Sequence, residues 1–439
     1  AHTISHPPPF VMSSSLRPLI RLGASIARRS GSSLNGAIRS RSLHHSRQTM
    51  MAGPATPAGK IHPTEDLSLP QIQSSKLTIE RTTNPKPKQA KETLKFGATM
   101  SDHMLEIDWD AEKGWHAPKI VPYQPLKLDP AASALHYGLE CFEGMKAYID
   151  DSNEIRMFRP DMNMKRINSS AHRLLLPQIN GPEFLKCIEQ LLVVEKDWIP
   201  KGFGYSLYLR PTLIATWPYL GVQPALSAKL YVICSPVGPY YAEGFNAVKL
   251  LADPQVARAW PGGTGNTKVG GNYALGIRPA LEASARGYAQ MLWLFGEDHW
   301  VTEVGTMNQF FFWVNKEGKK ELVTAPLDGT ILPGVTRDSI LALTREWKEF
   351  EVVERPYNLK EVIAAIEEGR MIEAFGAGTA AIVSPVKGFH FAGKDYDIPL
   401  DKADPKAKAG KLTQRISDHM MGIQYGKIPH PSWSHIVKA

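Results

Sequence analysis

Cysteine is scarce in this sequence: Cys141, Cys187 and Cys234 are the three among 439 residues, and they are widely separated. No zinc-ligand spacing and no disulfide framework can be drawn from them, and a reducing compartment is the simpler setting. Long apolar runs are missing as well. Nothing approaches the roughly 18–20 residues of a membrane span, which excludes an integral membrane protein of the helical kind. Acids are absent from the first 64 positions, where Arg17, Arg21, Arg28, Arg29, Arg39, Arg41, Arg47 and Lys60 stand unopposed. Those cations account for the whole formal charge of +8, and from residue 65 onward acids and bases balance. The basic surplus is therefore no argument for a nucleic-acid partner.

What is present is ordinary for a soluble globular chain: 43% hydrophobic and 21% charged residues, with length for two or three domains at roughly 150 residues each. The acid-free, Ser- and Arg-rich residues 1–49 place Leu16, Ile20, Ala24 and Ala27 on one side of a helix with arginines around the rest. That is the composition of a mitochondrial transit peptide, and no continuous apolar core of a secretory signal accompanies it. The matrix is the expected location, with Met50 or Met51 as starts of a shorter cytosolic form. Residues 50–95, rich in Pro, Thr, Lys and Ser, read as a flexible lead-in.

From Phe96 the pattern turns globular. A small α/β domain is expected over 96–241, with a strand at 155–158, a helix from 162 to 176, a second helix after Pro182 that ends at Pro200, and a strand at 205–210. In that last strand Leu207 and Leu209 face one side, and Ser206, Tyr208 and Arg210 the other. The Pro/Gly-rich connection 236–244 reads as an interdomain hinge, and a linker at 242–248 leads to a larger domain over 249–439, with strands near 248–252, 291–295 and 309–314. Asn358 and Glu361 form a capping box that opens a helix closed by Gly369. The fold class expected is α/β, or mixed α+β, in two domains.

Three segments carry chemistry. Residues 260–273 hold five glycines, Lys268 and Tyr273, and no acid stands between Asp253 and Glu282. A phosphate-binding P-loop would need Gly-Lys-Ser/Thr, and Val269 breaks that pattern. Two readings remain open: a solvated lysine on a surface turn, or a lysine nucleophile of the kind that forms a Schiff base. In 301–308, Glu303 interrupts an apolar strand and needs a partner, either a structural cation or a protonated ring nitrogen. In 331–337, Leu332, Val335 and Thr336 lead into a helix whose first amides suit an anion, although an ordinary loop-to-helix junction has the same look.

Taken together these segments resemble the branched-chain aminotransferases of the fold-type IV pyridoxal-phosphate enzymes. So do Phe96-Gly97, Asp102-His103-Met104, Leu135-His136-Tyr137, Cys141-Phe142-Glu143-Gly144, Phe158-Arg159-Pro160, Asn163-Met164, the stretch from Ser206 to Pro211, and Phe375-Gly376-Ala377-Gly378-Thr379. The resemblance implies a ping-pong transfer of the amino group between Leu, Ile or Val and 2-oxoglutarate, with the active site between two domains. By similarity Lys268 binds pyridoxal 5'-phosphate and moves the proton, Glu303 partners the pyridine nitrogen, and Tyr273 partners the phenolic oxygen. Leu332 lies under the ring. Arg166, Val335, Thr336 and Thr379 match the phosphate site, with Thr306 also assigned to the cofactor.

The resemblance likewise assigns Phe96, Tyr137, Phe142, Tyr208 and Tyr240 to the walls of the side-chain pocket. It gives Arg210 the distal carboxylate of glutamate, and Gly378, Thr379 and Ala380 the substrate carboxylate. Val222 matches a residue reaching into a neighbouring subunit, which implies a homodimer. No metal, nucleic acid or membrane is implied. Mammalian members carry a Cys-x-x-Cys pair where this chain has Ala381 and Ser384, so the thiol switch is lost. The rivals are D-amino-acid aminotransferase and aminodeoxychorismate lyase of the same fold, and an inactive homologue kept for interaction, which the intact Lys268, Tyr273, Glu303 and Arg166 set disfavours.

Overall fold

The computed structural model describes residues 62–239, 245–401, 403–404 and 406–438. Residues Pro54–Ala439 make one compact unit. The basic segment 1–49, Tyr240 and the first part of the 242–248 linker lie outside the described residues.

Among the described residues, nine strands precede residue 240: β1 (Thr78–Ile79), β2 (His103–Asp110), β3 (Gly114–Trp115), β4 (Lys119–Pro122), β5 (Glu140–Phe142), β6 (Met145–Ile149), β7 (Ile155–Phe158), β8 (Ser206–Ala215) and β9 (Ser227–Val237). Helices α1 (Ser133–Tyr137), α2 (Pro160–Arg173) and α3 (Gly181–Val194) lie among them. The strands build a sheet ordered β1-β4-β2-β9-β8-β6-β7, with β3 on β2 and β5 on β8. Its pairings are antiparallel except β1 with β4. The apolar stripes of α2 (Met164, Ile167, Ala171) and α3 (Phe184, Cys187, Ile188, Leu191, Leu192) pack with Leu207, Leu209, Leu230 and Val232 in one core. The predicted phase of 205–210 holds: Leu207 and Leu209 enter that core, and Tyr208 and Arg210 leave from the other face.

The second sheet uses β10 (Val248–Ala252), β11 (Gln290–Phe295), β12 (Trp300–Val304), β13 (Met307–Val314), β14 (Lys320–Thr324), β15 (Glu351–Glu354), β16 (Met371–Gly378), β17 (Ile382–Phe391) and β18 (Lys394–Asp397). It carries α4 (Gly270–Ala274), α5 (Ile277–Ala285), α6 (Val335–Trp347), α7 (Leu359–Glu367) and α8 (Lys411–Gln424). Its order is β12-β11-β10-β17-β16-β13-β14-β15, and a further pairing of β12 with β13 closes six strands into a ring. β13 is buried on both faces, which is why its residues 310–314 are a continuous apolar run rather than an alternation. Phe311 and Trp313 join the cluster of Leu250, Leu292 and Val386, whereas Phe310 and Phe312 pack with Ile340 of α6 and Ile416 of α8.

The first sheet is completed from both ends of the chain. β19 (Ser434–Ile436) pairs with β7, so the first sheet is not confined to the expected segment 96–241. The flexible lead-in expected over 50–95 is also corrected over 62–95. Ile72 is 1% exposed in the first core, Ser74 donates to Glu183, β1 adds to β4, and the Lys86 N–H donates to Asp102. The Pro, Lys and Thr content that reads as a linker is the composition of a strap whose few apolar side chains dock while the rest stay solvated.

Candidate active site

Lys268 lies in the glycine-rich segment between β10 and α4, and the first sheet fixes its backbone on both sides. Its N–H donates to Ser170 Oγ of α2 at 2.8 Å, its carbonyl accepts from the Phe142 N–H at 3.0 Å, and Val269 bridges to Cys141. Gly265 is required by close approach, since a Cβ there would strike Ala259 and the carbonyls of Gly329 and Thr330. The Asn272 amide ties the carbonyls of Thr264 and Thr267 at 2.8 and 3.0 Å. The segment is thus a rigid mount, and the surface-turn reading falls. The Lys268 amine donates to the Tyr273 hydroxyl at 2.9 Å and stands 4.8 Å from the centre of the Phe142 ring. Burial, and then the charge of Arg166, bring its pKa down to about 8, while burial lifts that of Tyr273 to about 12.

Glu303 on β12 is 2% exposed and held from three sides: Arg258 Nε at 3.0 Å from Oε2, and the Leu332 N–H at 2.6 Å and Asn308 Nδ2 at 3.2 Å from Oε1. Burial pushes its pKa up, and Arg258 pulls against that rise. The position depends on a two-residue hairpin, Gly305-Thr306, which aligns Glu303 with Asn308. Gly305 takes φ +53°, and a Cβ there would strike Gln290.

Arg166 projects from α2. Its Nε and Nη2 donate to Glu143 at 2.6 and 2.8 Å and its Nη1 to the Pro333 carbonyl at 3.1 Å, leaving two of five donors free. The residue is buried, at 7% exposed, rather than on the outer face of its helix. Burial opposes both charges of this pair. Their mutual attraction prevails, so the Glu143 carboxyl stays below its ordinary value and the Arg166 guanidinium above.

Lys268, Tyr273 and Arg166 border one cavity of about 290 Å³ between the two sheets. Phe96, Phe142, Tyr208 and Arg210 come from the first half of the chain. Lys268, Tyr273, Thr306, Leu332, Val335, Thr336 and the turn Gly378, Thr379 and Ala380 come from the second. No carboxylate side chain lines it among the described residues. At its edge α6 begins at Val335 without a side-chain cap, so the first amides of a 13-residue helix and the Thr336 hydroxyl are open to an anion. Gly334 permits this, because a Cβ there would strike Asn308. Arg210 spans Phe142 and Tyr208, with Nη2 3.2 Å from the Tyr208 hydroxyl, and its buried Nε has no partner.

Known proteins decide the family. The model of amino-transferase class IV matches residues 140–389. A branched-chain-amino-acid aminotransferase of Dictyostelium discoideum is 55% identical over 83% of this chain and 96% of its own. A mitochondrial protein of that name from Schizosaccharomyces pombe is 50% identical over 83% and 85%, and a cytosolic one from Saccharomyces cerevisiae is 50% identical over 84% and 99%. The chain belongs to the class IV branched-chain aminotransferases. Among solved structures, the branched-chain aminotransferase of the archaeon Thermoproteus uzoniensis with norvaline has a TM-score of 0.60 at 25% identity, over 76% of this chain and 99% of that one. A branched-chain amino acid aminotransferase solved with pyridoxamine 5'-phosphate has the same TM-score and identity, over 76% of this chain and 98% of its own.

Within this aminotransferase site, two expected residues, Glu303 and Tyr137, fall away from the cavity wall, and Val222, expected to serve a neighbouring subunit, is not on it either. Glu303 stands beside Leu332 rather than on the lining. Tyr137 is 39% exposed, with its hydroxyl on the Leu220 carbonyl, and Val222 is 83% exposed. Sequence reasoning missed Arg258, Gln290, Met307 and Asn308 as parts of the site, and Glu143 as the partner of Arg166. Glu143 and Asn308 lie in stretches already singled out. Arg258 had one faint signal, a cation in an acid-free stretch, whose carboxylate is 45 residues away.

Proposed function

We propose that this aminotransferase moves the amino group between branched-chain L-amino acids and 2-oxoglutarate, with pyridoxal 5'-phosphate on Lys268. The observation that supports this best is a lysine of lowered pKa, paired with a tyrosine hydroxyl, in a cavity without carboxylates. The residues fit the cofactor. The open start of α6, Thr336 and Thr379 and the free donors of Arg166 suit a phosphate, Leu332 and Val335 give apolar contact, and Thr306 stands nearby. Glu303 would hold the ring nitrogen and Tyr273 the phenolic oxygen. Bound there, the cofactor supplies a carbonyl for the amino group and an electron sink for the Cα electrons.

The protein's own part is proton handling and placement. The Lys268 amine, neutral in a sizeable fraction near pH 8, takes the Cα proton and returns it. Phe96, Phe142 and Tyr208 form an apolar wall for a branched side chain. The unpartnered Arg210 Nε is placed for a second carboxylate, which lets one pocket accept glutamate as well. Gly378, Thr379 and Ala380 receive the α-carboxylate. We read Tyr137 and Tyr240 as further walls of the side-chain pocket and Val222 as reaching the site of a second copy, and the 83% exposure of Val222 supports a homodimer. We read the basic segment 1–49 as directing the chain to the mitochondrial matrix, and 242–248 as the hinge between a domain over 96–241 and one over 249–439.

An amino-donor panel with 2-oxoglutarate tests the reading. L-Leucine, L-isoleucine and L-valine should turn over with parallel double-reciprocal lines, D-alanine and aminodeoxychorismate should not, and Lys268→Ala should abolish turnover while the chain still folds. Near-normal turnover in K268A, or a preference for a D-amino acid, would falsify the assignment.

A further inference from the structure

Lys146 lies on β6 directly opposite Tyr208 of β8, so the two side chains leave the same face of the first sheet. That is the face from which Tyr208 enters the cavity. The residue is 8% exposed, and its Nζ donates to the Ala380 carbonyl at 2.7 Å. Ala380 belongs to the turn between β16 and β17, which hangs from the second sheet by the Gly378–Ile382 pairing. Among the described residues this is the hydrogen bond that reaches the turn from the first sheet.

A buried ammonium is costly to keep, and a lysine there would normally have a carboxylate beside it. Here burial alone accounts for its lowered pKa, about 8, and no acid counters it. A cation kept without an anion, with its bond to the loop that lines the site, is placed to favour an anion arriving on the other side of that loop.

We infer that Lys146 is a positioning residue for the substrate α-carboxylate: it clamps the Gly378–Ala380 turn across the two sheets and sets a positive charge behind it. The inference rests on the aminotransferase reading of the site and deepens it. Lys146 touches neither the amine of Lys268 nor Arg210, so its loss should weaken carboxylate binding and leave proton transfer nearly intact. Hydrogen bonds to charged groups of this kind are worth about tenfold to a hundredfold in affinity.

The test is steady-state kinetics of the holoenzyme and of Lys146→Met, which keeps the length of the side chain without its charge. K146M should raise KM for both leucine and 2-oxoglutarate by about tenfold or more, with kcat within about threefold. Lys146→Arg should recover most of the loss. Calorimetric binding of 4-methylpentanoate, a carboxylate with no amine, should weaken in parallel, and 3-methylbutylamine, an amine with no carboxylate, should be handled alike by both proteins. If K146M does not fold, Lys146→Gln is read by the same criteria. An unchanged KM in a folded, cofactor-loaded variant, or an equal loss with 3-methylbutylamine, would overturn the role of Lys146 alone. A wild-type enzyme that does not turn over leucine would overturn the reading of the site and this role with it.

Discussion

At the scale of the residue, Lys268 shows how a fold changes what an amine can do. An ordinary lysine titrates near 10.4, so at pH 7 about one in a few thousand is neutral. Burial, with Arg166 nearby, brings Lys268 to about 8, which makes roughly a tenth neutral at the same pH. The neutral amine is the nucleophile, so its reactions should speed up as pH rises and level off above the lowered pKa. The cofactor-free protein should therefore bind added pyridoxal 5'-phosphate covalently at a rate that climbs from pH 6 to 8 and flattens near pH 9. The absorbance change on mixing follows this, and a midpoint near 10 would contradict the shift. Lysine and its glycines were legible because composition alone marks them. Arg258 was not, because its meaning is Glu303, and only the closed ring of the second sheet brings that carboxylate within 3.0 Å.

At the scale of the element, the sequence was most readable where the stabilising contact is local. Asn358 accepts from the Glu361 N–H at 2.9 Å, as its spacing predicts. The other half of the expected capping box is not made, because the Glu361 carboxylate pairs with Arg355 instead. The start of α8 shows the contrary case. Gly410 supplies no side chain there, and Glu373 on β16 takes its place. Glu373 accepts from the N–H groups of Leu412 and Thr413 at 3.0 and 2.8 Å and from the Thr413 hydroxyl at 2.6 Å. Sequence reading left Glu373 unassigned, since a cap borrowed from 39 residues away leaves no spacing to detect. Its three accepted bonds are buried, and an alanine would leave two amides and a hydroxyl unpaired. Glu373→Ala should cost about 3 kcal/mol in urea unfolding, against about 1 kcal/mol for Asn358→Ala at the more exposed α7. Equal losses for the two would show that the borrowed cap adds nothing beyond an ordinary one.

At the scale of the whole molecule, the fold class was visible in the alternation of strands and helices, and the sheets' composition was not. The first sheet is assembled from residues 78 to 436, and its β1 belongs to a strap that composition disguises as a linker. The strap's contacts are specific. Ile72 is buried in the core, and the Pro70 carbonyl accepts from the Trp115 N–H at 2.8 Å. The Glu80 N–H donates to the Ile120 carbonyl at 2.9 Å, the Gln178 N–H donates to the Thr64 carbonyl at 3.2 Å, and His103 accepts from the Thr82 N–H at 2.9 Å. A chain beginning at Met51 keeps all of these, whereas one beginning at Phe96 loses all of them. Removing Ile72 alone withdraws about 2–3 kcal/mol of apolar burial, and each backbone group left unpaired adds to the loss. The Met51 chain should therefore melt within a few degrees of the full-length protein. The Phe96 chain should melt about 10 °C lower or more, or fail to stay soluble, because it uncovers the edge of β4. Thermal scans of the two truncations decide this, and a Phe96 chain as stable as the Met51 chain would return residues 62–95 to the role of a passive lead-in.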